Sequence, residues 1–145
     1  MDSALPLPYL VHQSDSCCVH QPATTHPLIL VVEDDDDNLL LIRYALESFG
    51  CRFVGQEDSR NALHTAKECK PDLILMDILL PNVDGIQLVQ HLKQDEATRD
   101  IPVIAVTALA KLEDRENLLL AGFVDYVSKP YMLDDLEAAI RRHLR

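Results

Sequence analysis

From Leu28 onward the chain alternates between short, unbroken apolar runs and longer segments in which apolar residues return every three or four positions. The runs are LILVV (28–32), CRFVG (51–55), DLILMD (72–77), PVIAVT (102–107) and FVDYVS (123–128). Runs this short, with little polar alternation, suit strands covered on both faces; CRFVG is the weakest. Between them the spacing predicts helices. DNLLLIRYALESFG places Leu39, Ile42, Leu46 and Phe49 on one side, with Gly50 as a stop. DSRNALHTAKECK opens with Asp58 and Ser59 as N-cap candidates. DGIQLVQHLKQ follows, then LEDRENLLLAG, stopped by Gly122. The last segment, YMLDDLEAAIRRHL, carries Leu133, Leu136, Ile140 and Leu144 on one stripe.

Five strands alternating with five helices through short connections imply right-handed βαβ units. The fold class is therefore α/β, a doubly wound parallel sheet flanked by helices. Ligands in such folds bind beyond the C-terminal ends of the strands. The first strand ends in Glu33 and Asp34, the third in Asp77, the fourth in Thr107 and the fifth in Ser128 and Lys129. Each has a plain structural explanation: acids such as Asp36 and Asp37 cap the next helix, Asp77 is a turn residue, Thr107 a cap, Lys129 a solvated charge. Together they offer a chemical one. Asp77 is the candidate nucleophile toward a phosphoryl group. Glu33, Asp34 and Asp77 supply the hard oxygens suited to magnesium. Thr107 and Lys129 supply a hydroxyl and an ammonium for phosphoryl oxygens. The acids of EDDDD (33–37) then divide, the first two facing a metal and the later ones facing solvent or the helix N-terminus.

Composition narrows the setting. The chain has 145 residues, 48% hydrophobic, enough for one domain with its own core. Its net charge of −11 gives no electrostatic footprint for nucleic acid or anionic lipid. No apolar run approaches a membrane span, and the N-terminus lacks the pattern of a signal peptide. Cys17, Cys18, Cys51 and Cys69 form no C-x-x-C pair and read as reduced thiols, which points to the cytoplasm. Residues 1–27, with four prolines and no Lys or Arg, read as a disordered tail preceding a domain over 28–145. His12, Cys17, Cys18, His20 and His26 lack a recognised zinc spacing.

ILVVEDDDDN, DLILMDILLPNVDG, PVIAVTALA and DYVSKPY, in this order and at these separations, resemble the receiver (CheY-like) domain of two-component response regulators. The resemblance covers everything but the tail. It implies a flavodoxin-like sheet in order 2-1-3-4-5. It also implies Asp77 as phospho-acceptor, Glu33 and Asp34 as the acidic metal pair, and the backbone carbonyl of Leu79 as a further magnesium ligand. Thr107 and Tyr126 are implied as the switch pair, Lys129 as the site lysine, and Pro130 as the proline of a cis peptide. The implied activity is self-phosphorylation and dephosphorylation, without turnover of an external substrate. The implied partners are a histidine kinase or histidine phosphotransfer protein, and a downstream protein at the face of the fourth helix, fifth strand and fifth helix.

Further readings attach to this frame. Leu79 and Leu109, two residues beyond Asp77 and Thr107, cannot orient an attacking water, which predicts slow loss of the phosphoryl group. In LEDRENLLLAG, helical geometry groups Leu119 with Leu112 in the core and turns Leu118 outward, toward a partner surface. The basic end RRHLR complements the helix dipole. The chain ends after that helix, which suggests a stand-alone receiver, a relay intermediate or a receiver excised from a hybrid kinase. A phosphorylation-independent docking module is the alternative. A haloacid-dehalogenase-type phosphohydrolase would need an acid where Leu79 stands. A flavodoxin-like electron carrier would want a phosphate loop where the five acids stand.

Overall fold

The five apolar runs are the strands of one sheet. The computed structural model describes residues 26–78, 83–107 and 112–144. In chain order the elements are β1 (Leu28–Val32), α1 (Asp36–Ser48), β2 (Arg52–Gln56), α2 (Ser59–Cys69), β3 (Leu73–Ile78), α3 (Val83–Gln94), β4 (Val103–Thr107), α4 (Leu112–Ala121), β5 (Asp125–Ser128) and α5 (Leu133–His143). All neighbouring strands pair in parallel, in the order β2-β1-β3-β4-β5. The architecture is thus the doubly wound α/β sheet that the alternation implies. Leu79, Leu109, Cys17, Cys18, His12 and His20 lie outside the described residues.

Successive strand side chains point to opposite faces, so an unbroken apolar run feeds two cores. Leu30, Ile74, Met76 and Ala105 pack with Ala66 of α2, Val89 and Leu92 of α3 and Leu118 of α4. Ile29, Val31, Leu75 and Ile104 pack with Ile42 and Leu46 of α1 and Leu136 and Ile140 of α5. The inner strands β1 and β4 are buried throughout, whereas the edge strands β2 and β5 are largely half-buried. The weaker apolar signal of CRFVG therefore marks an edge.

Local chemistry sets the helix ends. Asp35, not Asp36 or Asp37, caps α1: its Oδ1 accepts from the amides of Asp37 (2.8 Å) and Asn38 (3.2 Å). Asp36 and Asp37 are first-turn charges that favour the positive end of the helix dipole. Asp58 caps α2 through the Arg60 amide. Gly50, at φ 81°, follows the C-cap Phe49 and takes the left-handed conformation that ends α1. At the far end of α5, Arg142 and His143 both lie on Asp125 Oδ2, at 2.8 and 3.0 Å, while Arg141 donates to Glu137 and to the Phe49 carbonyl.

Three expectations are corrected. Leu118 is core, 2% exposed, and Leu119 and Leu120 face outward. The inward stripe of α4 is Arg115, Leu118 and Ala121, a spacing that three consecutive leucines hide. Leu133 is exposed at the start of α5, whose buried positions are Leu136, Ala139 and Ile140. Cys69 is disulfide-bonded, so the thiols are not all reduced; Cys51 is a free, buried thiol. No helix among the described residues is long and apolar enough to cross a membrane.

The register of α4 is directly testable. Leu118→Ala should lower the unfolding free energy by about 2–5 kcal/mol, the usual cost of emptying a core leucine site. Leu120→Ala should change it by about 0.5 kcal/mol or less. Equal losses in urea titrations would mean that the stripe has been misread.

Candidate phosphoryl and metal site

The parallel sheet carries the C-terminal ends of β1, β3, β4 and β5 to one edge, and with them the reactive residues. The β1 ladder runs one residue past the strand, because the Glu33 amide donates to the Gln56 carbonyl at 3.1 Å. Gln56 is held in turn: its side chain donates to Thr65 and accepts from the Asp58 amide. The Glu33 side chain is thereby drawn inward, 2% exposed, with Oε2 accepting from the Asp35 amide at 3.1 Å. Asp34 is exposed at the rim. Asp77 lies near the end of β3, in register with Val106 of β4.

On the other side, Thr107 closes β4 and is wholly buried, paired with Ile78 of β3 and Ser128 of β5. The Lys129 amide donates to the Thr107 carbonyl at 2.7 Å, which continues the β4–β5 ladder and brings Lys129 to the same edge. Its ammonium lies 2.6 Å from Asp77 Oδ1. The contact is an ion pair without hydrogen-bond alignment, so Asp77 Oδ1 is left with no hydrogen-bond partner. The Lys129–Pro130 peptide is cis. Tyr126 is half-buried on β5, level with Ala105, and lies under the Arg115 guanidinium at 5.1 Å.

Glu33, Asp34 and Asp77 each place one carboxylate oxygen within 4.8 Å of the other two. Three acids therefore meet one ammonium. Burial pushes the Glu33 carboxyl up to about 7; the Asp35 amide pulls it down, the neighbouring Asp77 pushes it up again, and Lys129 offsets part of this. Glu33 Oε1, like Asp77 Oδ1, is buried without a hydrogen-bond partner. Buried carboxylate oxygens without hydrogen-bond partners, in a converging set of acids, are the donor chemistry of a hard divalent cation. The residues present fit magnesium.

Sequence reasoning passed over Tyr131. It lies just past the cis peptide and packs partly into the α1/α5 core. Burial raises its phenol pKa, and the charges of Glu33 and Asp77 raise it further, so it sits within the field of the acidic cluster. Its only signal in the sequence was its place two residues after Lys129.

Known proteins share this fold. A family model, the response regulator receiver domain, matches residues 29–141. The chain is 42% identical over 105 residues, 72% of its length, to the phosphate regulon transcriptional regulatory protein PhoB of Escherichia coli. It spans only 46% of that relative's length. It is 40% identical over 104 residues to the polar-differentiation response regulator DivK of Brucella anthropi, covering 72% of this chain and 85% of the relative. Among solved structures, the receiver domain of the sensor histidine kinase PA1611 of Pseudomonas aeruginosa is similar at TM-score 0.73 and 37% identity, over 82% of this chain and 98% of that one. That receiver was solved with a magnesium ion coordinated in its active-site cleft.

The raised Glu33 carboxyl has a sign. With its folded pKa near 7 and an ordinary value of 4.5, the metal-free fold favours the protonated form. Its stabilising contribution is complete below pH 4.5 and is lost as pH rises through 7. In EDTA, Glu33→Gln should therefore melt higher than wild type at pH 8, with the gap closing toward pH 5. Magnesium at pH 8 should raise the wild-type melting temperature and leave the variant nearly unmoved. An equal rise in both proteins would remove Glu33 from the metal site.

Proposed function

This chain belongs to the response regulator receiver family, and from that premise we propose that it accepts a phosphoryl group on Asp77 from a histidine kinase or histidine phosphotransfer protein. The observation that carries the reading is the meeting of Asp77 Oδ1 with the Lys129 ammonium at 2.6 Å beside the orphaned Glu33 oxygen. An Asp77 oxygen attacks phosphorus in line, the bond from phosphorus to the donor's imidazole nitrogen breaks, and that nitrogen keeps the electron pair. The product is an acyl phosphate on Asp77.

Glu33, Asp34 and Asp77 would hold the magnesium. When bound, the ion supplies the positive charge that lets a carboxylate approach a phosphoryl group. Lys129 transfers its ammonium from Asp77 to a phosphoryl oxygen, and the Thr107 hydroxyl donates to another. Thr107 is wholly buried, so moving its side chain toward the phosphoryl group opens space on the face it shares with Tyr126. The ring turns inward to fill that space, because close-packed interiors resist voids. The surface of α4, β5 and α5 changes as a result and is read by a downstream protein.

In this reading residues 28–145 form the receiver unit on the cytoplasmic side of the membrane and residues 1–27 a preceding tail. The protein turns over no substrate beyond its own acyl phosphate. Nucleic acid is not a direct partner of the unit: it is acidic, and the basic end of α5 is engaged by Asp125 and Glu137. The likeness to a receiver of a sensor kinase, over 98% of that chain, favours a second reading in which this receiver works within a hybrid kinase.

Intact mass after incubation with magnesium and acetyl phosphate should show one phosphoryl adduct on the wild type and none on Asp77→Asn or in EDTA. An adduct on both proteins would move the acceptor elsewhere. No adduct on a folded, magnesium-binding wild type would leave a docking module. With leucine at positions 79 and 109, the adduct should outlast the assay by minutes or more. Loss within seconds would show that another group positions the attacking water.

A further inference from the structure

Arg115 shares the inward stripe of α4 with Leu118, one turn before it, and reaches across the α4–β5 seam. Its guanidinium carbon is 5.1 Å from the centroid of the Tyr126 ring, within the range of a cation–π contact. Its Nε is buried and has no hydrogen-bond partner. These two observations oppose each other. The stack holds the side chain over the ring, while the orphaned donor would regain a partner by swinging out into water. A cation held by one and loosened by the other is neither a core residue nor a free surface charge.

The ring beneath it is tied to the site. Tyr126 is in register with Ala105, and Ser128, two residues on, is in register with Thr107. Residues two apart on a strand share a face, so Tyr126 and Thr107 lie on the same side of the sheet. Tyr126 packs there against the core that includes Ala105 and Leu118. Any inward rotation of the ring must break its contact with Arg115.

We propose that Arg115 is a positioning residue for Tyr126: a latch that keeps the ring in the seam of the unphosphorylated protein and has to release it when Thr107 moves. The inference rests on the reading of Asp77 and Thr107 given above and adds a brake to it. By favouring the outward ring, the latch lowers the population of the conformation that accepts the phosphoryl group, and so slows its uptake. The unpaired Nε keeps the hold weak enough to be released.

Two readouts test this. Tyrosine-labelled protein, with the Tyr126 ring signal identified by Tyr126→Phe, is compared by NMR for wild type, Arg115→Met and Arg115→Lys. Methionine keeps an unbranched stem without the charge; lysine keeps the charge. The Tyr126 signal should move in Arg115→Met and stay close to its wild-type position in Arg115→Lys. Uptake of phosphate from acetyl phosphate, followed by intact mass, should be roughly threefold faster in Arg115→Met, the size of a weak cation–π contact expressed as an equilibrium. In Arg115→Lys it should return toward the wild-type rate. Arg115→Gln replaces the methionine variant if that variant does not fold. An unmoved ring signal overturns the latch, whatever the mass spectra show. A moved ring with equal or slower uptake overturns the brake while leaving Asp77 as acceptor. A moved ring with no adduct on wild type overturns the acceptor reading and the brake together.

Discussion

The constraint on which the rest depends is the convergence of three carboxylates against one ammonium at the end of an apolar sheet. Charges of one sign, this close and partly buried, do not gather unless the backbone compels them. Here it does so by ladder bonds that outrun the strands. The Glu33 amide is fixed by the Gln56 carbonyl and the Lys129 amide by the Thr107 carbonyl. The stability that holds the site together resides in the two apolar cores beneath it. The site itself is left with an orphaned oxygen on Glu33 and an ion pair without hydrogen-bond alignment at Asp77, a deficit that a cation can resolve.

This division of labour accounts for what the sequence revealed. The strands were legible because a strand buried on both faces must be largely apolar, as β1 is throughout and β3 and β4 are but for Asp77 and Thr107. The site was legible because parallel topology sends all strand ends to one edge, so Glu33, Asp34, Asp77, Thr107 and Lys129 could be gathered from spacing alone. What stayed hidden is what periodicity cannot resolve. Three leucines in a row at 118–120 carry no phase, and the true inward stripe contains Arg115, which a hydrophobicity pattern discards. The cap of α1 was ambiguous because four consecutive aspartates can all cap; geometry selects Asp35. Tyr131 and the bonded state of Cys69 depend on contacts distant in sequence, which no local pattern records.

The edge strands connect site to surface. β5 is half-buried and short, so its residues face both the core and solvent, and Tyr126 does both. A ring in the centre of the sheet could not move without emptying a core, and a fully exposed one would move without consequence. Placement on the edge strand, on the face of Thr107 and under α4, puts this one side chain between the site and the outside.

The same logic explains why the cation of α4 matters more than the leucines around it. Leu119 and Leu120 are exposed, and the helix rather than the ring sets their positions. Arg115 is different, because both its stacking partner and its unpaired nitrogen lie in the α4–β5 seam. Its energy therefore depends on where the ring lies, and only a group whose energy differs between two states can bias the balance between them. At the other end of the path, Lys129 is paired with Asp77 at 2.6 Å. Two basic side chains thus flank the strand that joins site and surface, Lys129 against Asp77 and Arg115 over the Tyr126 ring.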